Sequence, residues 1–234
     1  MLFTRLLAPL THLPSQCAVC RAWPAQRICG MCRQRFVTQH TRCSTCARCV
    51  PEGVLRCGEC LLTPPQLDAC VAAVSYSYPW NEVLQDFKFH AEPSWAKTLA
   101  GLLLQVPTAS QALEQADWLL PIPLSRQRLR ERGYNQALLL ARALARHKVQ
   151  ANWLLRQRHT EIQSHLSRTQ RLRNLHQAFA FAPHAVRRLA GQRVVLVDDV
   201  ITTGATMQAA ATVLRQNGVQ HITALVLART EDSR

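Results

Sequence analysis

The sequence predicts an α/β fold built on a parallel sheet and preceded by a small cysteine-rich module. Three observations carry that expectation. Val194–Val197 is an unbroken apolar run followed by two acids, a Thr/Gly loop and a helical pattern, the order in which a strand buried on both faces feeds a helix. Ala69–Tyr78, Trp118–Ile122 and His221–Ala228 are further apolar runs separated by helix-periodic stretches, as parallel strands joined by crossovers require. Four C-x-x-C pairs fall within the first sixty residues. A chain of 234 residues has room for one such domain and a module beside it.

At the start, Met1–Leu13 has one arginine and a short apolar stretch broken by Pro9, Thr11 and His12, with no small-residue cleavage site after it. It reads as neither a signal peptide nor a membrane span.

The cysteine module follows. Cys17-x2-Cys20, Cys29-x2-Cys32, Cys43-x2-Cys46 and Cys57-x2-Cys60 are separated by eight to ten residues. Each pair forms a turn that presents two thiolates to one tetrahedral ion, and two pairs close a structural zinc site. Two Zn2+ ions are expected, with neighbouring pairs grouped as Cys17, Cys20, Cys29, Cys32 and as Cys43, Cys46, Cys57, Cys60; interleaved pairing is the alternative. Cys46-x2-Cys49 is also a C-x-x-C, so Cys49 can replace Cys43 if the register slips. Disulfides are the other use of such cysteines, but an arginine-rich chain without a signal segment is expected in a reducing cytoplasm. Four-thiolate sites leave no open position, which makes the metal structural, and so small a module depends on it for folding.

Thr63-Pro64-Pro65 marks the boundary to a second domain, giving residues 1–65 and 66–234. In the strand at Ala69–Tyr78, Cys70 reads as a small buried hydrophobe. Pro79 ends the strand, and Trp80–His90 and Trp95–Gln105 read as helices. Lys88, a lone base in D-F-K-F-H, either contacts a phosphate or snorkels at the surface.

After Trp118–Ile122 comes P-I-P-L-S-R-Q-R-L-R-E-R-G-Y-N-Q-A, with Arg126, Arg128, Arg130 and Arg132 two apart. An extended segment would put all four guanidinium groups on one side, whereas a helix would scatter them; a solvated charge run is the plain alternative. An amphipathic helix is expected after Gly133, through Arg146. Residues 121–190 hold fourteen Lys and Arg against Glu131 and Glu161, so +12 of the formal +14 lies here. The only lysines of the chain are Lys88, Lys97 and Lys148, and arginine forks suit phosphate oxygens. A polyanion is the expected partner.

Val194–Thr206 reads V-V-L-V-D-D-V-I-T-T-G-A-T and runs into a helical pattern at Met207, Ala210, Ala211 and Leu214 that ends at Gly218. The first amides of a helix carry positive partial charge and attract a phosphate. Gly204 lets the backbone approach closely, and Thr202, Thr203 and Thr206 supply hydroxyls. Asp198 and Asp199 would repel the same phosphate unless they meet a neutral part of the ligand or a metal. A sugar phosphate meets both demands, with ring hydroxyls on the acids and the phosphate in the loop. Walker A and G-x-G-x-x-G patterns are absent from the sequence.

These thirteen residues resemble the phosphoribosyl-pyrophosphate (PRPP) signature of type I phosphoribosyltransferases. That resemblance implies the corresponding fold for residues 66–234, with Asp198 and Asp199 holding the ribose 2′ and 3′ hydroxyls and serving as the catalytic pair. Thr202, Thr203, Gly204, Ala205 and Thr206 would hold the 5′-phosphate, and Mg2+ would accompany PRPP. It also makes Arg156–Phe179 the position of the lid over PRPP. There Arg168 and Arg171, with Arg173, are candidates to neutralise pyrophosphate or DNA phosphates, as are Arg126, Arg130 and Arg132. His159, His165 and His176 are candidate acids or bases or surface residues, and Glu161 is expected to pair locally.

The cysteine-rich N-terminus, the P-I-P-L-S-R element ending in R-G-Y-N-Q-A and the C-terminal PRPP loop together resemble the ComF/GntX family, competence protein F. This wider resemblance implies a double zinc ribbon before the transferase-like domain and a part in DNA uptake during natural transformation. Its implied partners are PRPP, single-stranded DNA and other DNA-uptake proteins. Three functions stay open on the residues alone: a DNA-uptake factor with a basic face, a working phosphoribosyltransferase of nucleotide metabolism or salvage, and a PRPP sensor that alters DNA affinity. Aromatic residues are scarce between Arg126 and Arg188, which favours nonspecific binding in the first case.

Overall fold

The structure is a computed structural model and describes residues 15–37, 40–90, 92–156 and 178–231. The chain divides into two compact units, residues 1–38 and 39–234.

In the first unit, Ser15 and Ala25 form an antiparallel bridge and α1 spans Gly30–Phe36. The Cys29 sulfur caps this helix by accepting from the Cys32 amide at 3.4 Å. Among the described residues of this unit Cys17, Ile28 and Cys32 are buried, so thiols fill the place of a conventional core there.

The second unit opens with the turn at Cys43–Cys46 and the short helix α2 (Gly58–Leu62), then builds the sheet. Its strands are β1 (Ala69–Ser75), β2 (Trp118–Pro121), β5 (Arg193–Ile201) and β6 (His221–Arg229). Their spatial order is β1-β6-β5-β2, with every pairing parallel. An antiparallel pair, β3 (Leu154–Arg156) and β4 (Phe179–Phe181), forms a second small sheet. The long apolar runs of β5 and β6 follow from burial on both faces.

Helices α3 (Trp80–Phe89), α4 (Trp95–Leu104) and α5 (Pro107–Gln115) separate β1 from β2, and α6 (Arg126–Arg132) and α7 (Gln136–Ala145) follow β2. Helices α4 and α7 pack together and onto the sheet. On another layer, α8 (Pro183–Leu189) and α9 (Ala205–Gln216) share a core with the small sheet. That core includes Leu196, Met207, Ala210, Leu214 and Val226. An α/β fold with a parallel sheet and a cysteine-rich N-terminal region is therefore what the chain adopts.

Element boundaries agree closely with expectation where apolar periodicity is strong. The arginine run 126–132 is a helix, which scatters its guanidinium groups: Arg126 and Arg130 are exposed, whereas Arg128 and Arg132 are half-buried. Ser125 starts it by accepting from the Arg128 amide at 3.3 Å, and Gly133 ends it in the left-handed region at φ +76°. Among the described residues no helix is long and apolar enough to cross a membrane.

Candidate functional site

In a parallel sheet the carboxyl ends of all strands point one way, and a crevice forms beyond them. Pro121, the last residue of β2, lies opposite Val197 of β5. The segments after both strands therefore open on the same end of the sheet.

Strand β5 runs through both acids to Ile201 rather than stopping before them. Successive side chains alternate across a strand, and Asp199 is the one that meets α3. It is 6% exposed, and its Oδ1 lies 3.1 Å from Lys88 Nζ. Lys88 thus neither snorkels nor stands alone. Asp198 accepts from the Asp199 amide at 2.9 Å. Burial pushes the Asp198 carboxyl up and the Asp199 charge adds to it; the amide, Lys88 and Arg132 offset part, leaving it near 7. Asp198 therefore changes protonation close to neutrality.

After Ile201, Thr202 and Thr203 are exposed. Gly204, the N-cap of α9, adopts φ +79° and has no side chain of its own to cap the helix. Thr203 Oγ1 accepts from the Ala205 amide at 3.4 Å, and no acid occupies the first turn. Thr202, Thr203, Gly204, Ala205 and Thr206 thus form a hydroxyl-lined turn into a twelve-residue helix with its positive end open.

The R-G-Y-N-Q element joins three parts of this end of the fold. Asn135 caps α7 by accepting from the Leu138 amide at 3.2 Å, and its Nδ2 donates to the Ile122 carbonyl just past β2 at 3.0 Å. Tyr134 donates its hydroxyl to the Phe87 carbonyl. Gln136 Nε2 donates to the carbonyls of Phe87 and Lys88 at 3.5 and 3.4 Å. The last turn of α3 is held to the start of α7, and Lys88 with it. Arg132 adds its guanidinium over the Phe89 ring, 5.0 Å from the centroid.

Strand β3 contributes a further cation. Burial pulls the Arg156 guanidinium down, Arg128 adds to that and Asp198 opposes it, so Arg156 acts in the field of the acid pair. Arg168 and Arg171 lie outside the described residues, as do Arg173, His159, His165, His176 and Glu161.

No disulfide joins any of the ten cysteines. Eight form two groups, Cys17, Cys20, Cys29, Cys32 and Cys43, Cys46, Cys57, Cys60, with every sulfur within 4.8 Å of the others in its group. Zinc thiolates about 2.3 Å from the ion stand roughly 3.8 Å apart in a tetrahedron, and both sets fit such an ion. Burial pushes the Cys17 thiol up, but amides of Cys29, Cys20 and Val19 outweigh it and bring it down to about 6. Amides of Cys57, Thr45 and Cys46 outweigh burial likewise at Cys43, also about 6. Each group thus has one cysteine predisposed to the thiolate form. Cys49 stands apart, donating its thiol to Glu231 Oε1 at 3.1 Å, and Cys70 is buried with its thiol pushed up to about 12 by desolvation.

Sequence reasoning passed over Arg156, the carbonyl clamp of Tyr134 and Gln136, and Arg229. A cation closing the apolar run H-I-T-A-L-V-L-A-R was the available signal for Arg229, since buried charge needs partners.

A parallel sheet that brings a carboxylate pair and a hydroxyl-lined helix start to its carboxyl end defines a protein of the phosphoribosyltransferase fold. The Phosphoribosyl transferase domain family matches residues 136–234. Several relatives span most of the chain. DNA utilization protein YhgH of Escherichia coli (strain K12) is 32% identical over 93% of this chain and 98% of its own. Competence protein F of Haemophilus influenzae is 36% identical over 86% of this chain and 90% of its own, and competence protein ComFC of Bacillus subtilis is 30% identical over 83% and 80%. The chain belongs to the ComF family of competence protein F.

Proposed function

We propose that this protein binds PRPP at the carboxyl end of its sheet and supports the handling of incoming single-stranded DNA in the cytoplasm. The observation that carries the PRPP reading is the pairing of Asp198 and Asp199 on β5 with the open start of α9 six residues further on. Ribose hydroxyls are donors to the carboxylates, and the 5′-phosphate takes the amides of Gly204–Thr206 and the threonine hydroxyls. Mg2+ would reach this site with the pyrophosphate. Lys88, Arg132 and Arg156 supply positive charge beside the acids. In this reading residues 1–65 are the zinc-bearing module and residues 66–234 the PRPP domain.

The DNA part rests on the names of the relatives, a DNA utilization protein and two competence proteins. It is supported by the surface at α6, which buries none of its own residues. Phe89 lies beside it, 63% exposed under the Arg132 guanidinium. Arginines with an aromatic ring suit a phosphate backbone carrying unpaired bases. The aromatic comes from α3, far outside the arginine-rich stretch. Other DNA-uptake proteins are natural partners of such a role.

One observation favours a working phosphoribosyltransferase as the second reading: a carboxyl near 7 at Asp198 can take a proton from an acceptor at neutral pH. Calorimetric titration of the zinc-loaded protein with PRPP and Mg2+, beside Asp199→Asn and with a short oligonucleotide present, tests the main proposal. Binding lost in the variant and shifted by DNA supports it; no heat with PRPP under any condition overturns the PRPP reading. Pyrophosphate release on addition of free nucleobases tests the second.

A further inference from the structure

Arg229, the last residue of β6, is 2% exposed at the end of an apolar strand. A guanidinium so placed must be satisfied by the protein itself. Its Nε donates to the Cys46 carbonyl at 3.2 Å, and its Nη1 donates to the Ile201 carbonyl at 3.2 Å. Cys46 belongs to the second four-thiolate group, and Ile201 is the residue before Thr202, where the hydroxyl-lined turn begins. The same Ile201 carbonyl accepts from the Thr230 amide at 3.0 Å and the Thr230 hydroxyl at 3.4 Å. One buried side chain thus spans from a metal-ligand turn to the root of the phosphate turn.

Charge gives this bridge a direction. Four thiolates around Zn2+ leave a net charge of about −2, which favours a buried cation nearby. Arg42 joins Arg229 there, donating to the Ala47 carbonyl at 2.9 Å next to Cys46. Arg42 also pairs with Glu231 and Ser75 at the ends of β6 and β1. Glu231 in turn accepts from the Cys49 amide at 3.1 Å. The Cys43–Cys49 turn is therefore tied to the same sheet end as Asp198 and Thr202.

We infer that the second four-thiolate site is a working part of the phosphate turn, and that Arg229 is the positioning residue that couples them. This rests on the PRPP reading given above. With the metal in place, the Cys46 carbonyl holds one arm of Arg229, and the other arm fixes Ile201 and the course of residues 202–206. Without it, the Cys43–Cys49 turn loses its shape, Arg229 loses both a partner and a counter-charge, and the turn loosens. Arg229 itself touches no ligand. Metal at the first site, in the other compact unit, has no part in this.

The test uses the full zinc-loaded chain and four variants: Arg229→Met, Arg229→Lys, Cys46→Ser and Cys20→Ser. Zinc content, hydrogen exchange of residues 202–206 without ligand, and PRPP affinity are measured on each. Arg229→Met is expected to keep two zinc ions, to exchange at 202–206 about tenfold faster and to bind PRPP about tenfold more weakly. Arg229→Lys recovers part of both losses. Cys46→Ser loses one zinc and loosens the turn, whereas Cys20→Ser loses one zinc and leaves it unchanged. Should Arg229→Met fail to fold, the lysine variant and the two cysteine variants decide the matter. Wild-type exchange in Arg229→Met, or equal loosening in both cysteine variants, overturns the coupling. If wild type binds no PRPP while the exchange pattern appears as stated, the ligand reading falls and the coupling stands.

Discussion

Lys88 Nζ lies 3.1 Å from Asp199 Oδ1, joining the last turn of α3 to the acid pair of β5. The lysine is 16% exposed, and the carbonyls at its turn are held by Tyr134 and Gln136. Two adjacent carboxylates in a half-dry site repel one another, and this ammonium, after the Asp199 amide, offsets part of that repulsion. In the PRPP reading proposed above, it is also the cation placed to turn toward the phosphate.

Replacing Lys88 with Met removes that cation and leaves the acids facing each other. The Asp198 carboxyl should move further above 7, because Lys88 is one of the groups holding it down. Stability at neutral pH should fall by about 3 kcal/mol, the scale for removing one partner of a largely buried pair. PRPP affinity should fall with it, by roughly tenfold. Carboxyl-detected NMR titration reads the first effect, chemical denaturation the second and calorimetry the third. An unmoved Asp198 titration would show that the pair is not coupled in solution.

Asp198 itself makes stability depend on pH in a definite direction. Its folded value is raised to about 7, above the ordinary carboxyl value near 4, so the folded state holds the proton more tightly than the unfolded chain. The stability this lends is complete below about pH 4 and is lost as pH rises through 7. Asp198→Asn, which stays neutral throughout, should therefore melt higher than wild type at pH 8 and close to it at pH 4. The gain at pH 8 is on the order of 1 kcal/mol or more, read by thermal melts across the range. PRPP binding should show the opposite preference, since ribose hydroxyls donate best to the ionised carboxylate.

Much of this site was legible because its parts lie close in sequence. Asp198 to Thr206 is one strand, one turn and one helix start, so hydrophobic run length and the Thr/Gly chemistry place the residues together without any tertiary knowledge. The four-thiolate groups were legible from C-x-x-C spacing for the same local reason. Lys88 and Arg229 were not, because their partners lie 111 residues away at Asp199 and 183 away at Cys46, and no periodicity reports such pairings. The spacing of the arginine run leaves extended and helical geometries open; Ser125 and Gly133, a helix cap and a helix stop, carry the signal that makes it a helix. Helices α5 and α8 each begin with a proline, Pro107 and Pro183, and are too short or too polar for their apolar faces to stand out.

Phe89 offers a separate test of the DNA surface. If its ring stacks on a base, Phe89→Ala should weaken binding of a short thymidine oligonucleotide by about 1–3 kcal/mol and leave an abasic strand of the same length unaffected. Arg126→Ala should weaken both strands equally and lower the salt dependence of binding. Fluorescence anisotropy over a range of salt concentrations separates the two. Equal losses for base-bearing and abasic strands in Phe89→Ala would remove the ring from the interface.

Gly204 isolates the phosphate turn from everything around it. Its φ of +79° lies where a side chain is strained, yet an added Cβ meets nothing within 4 Å. Gly204→Ala therefore tests backbone conformation alone, with no steric clash to confuse the outcome. The left-handed conformation costs a non-glycine residue about 1–2 kcal/mol, which the variant can relieve by reshaping residues 202–205. Relief of that kind turns the first amides of α9 away from the phosphate position while leaving Asp198, Asp199 and the sheet as they are. Global stability should drop by about 1 kcal/mol, but affinity for PRPP and for inorganic pyrophosphate should diverge. PRPP loses its 5′-phosphate seat and weakens by about tenfold or more, whereas pyrophosphate, held by the arginines and Lys88, binds nearly as before. Parallel calorimetric titrations with the two ligands measure the divergence, and equal weakening of both would place the pyrophosphate, rather than the 5′-phosphate, at the start of α9.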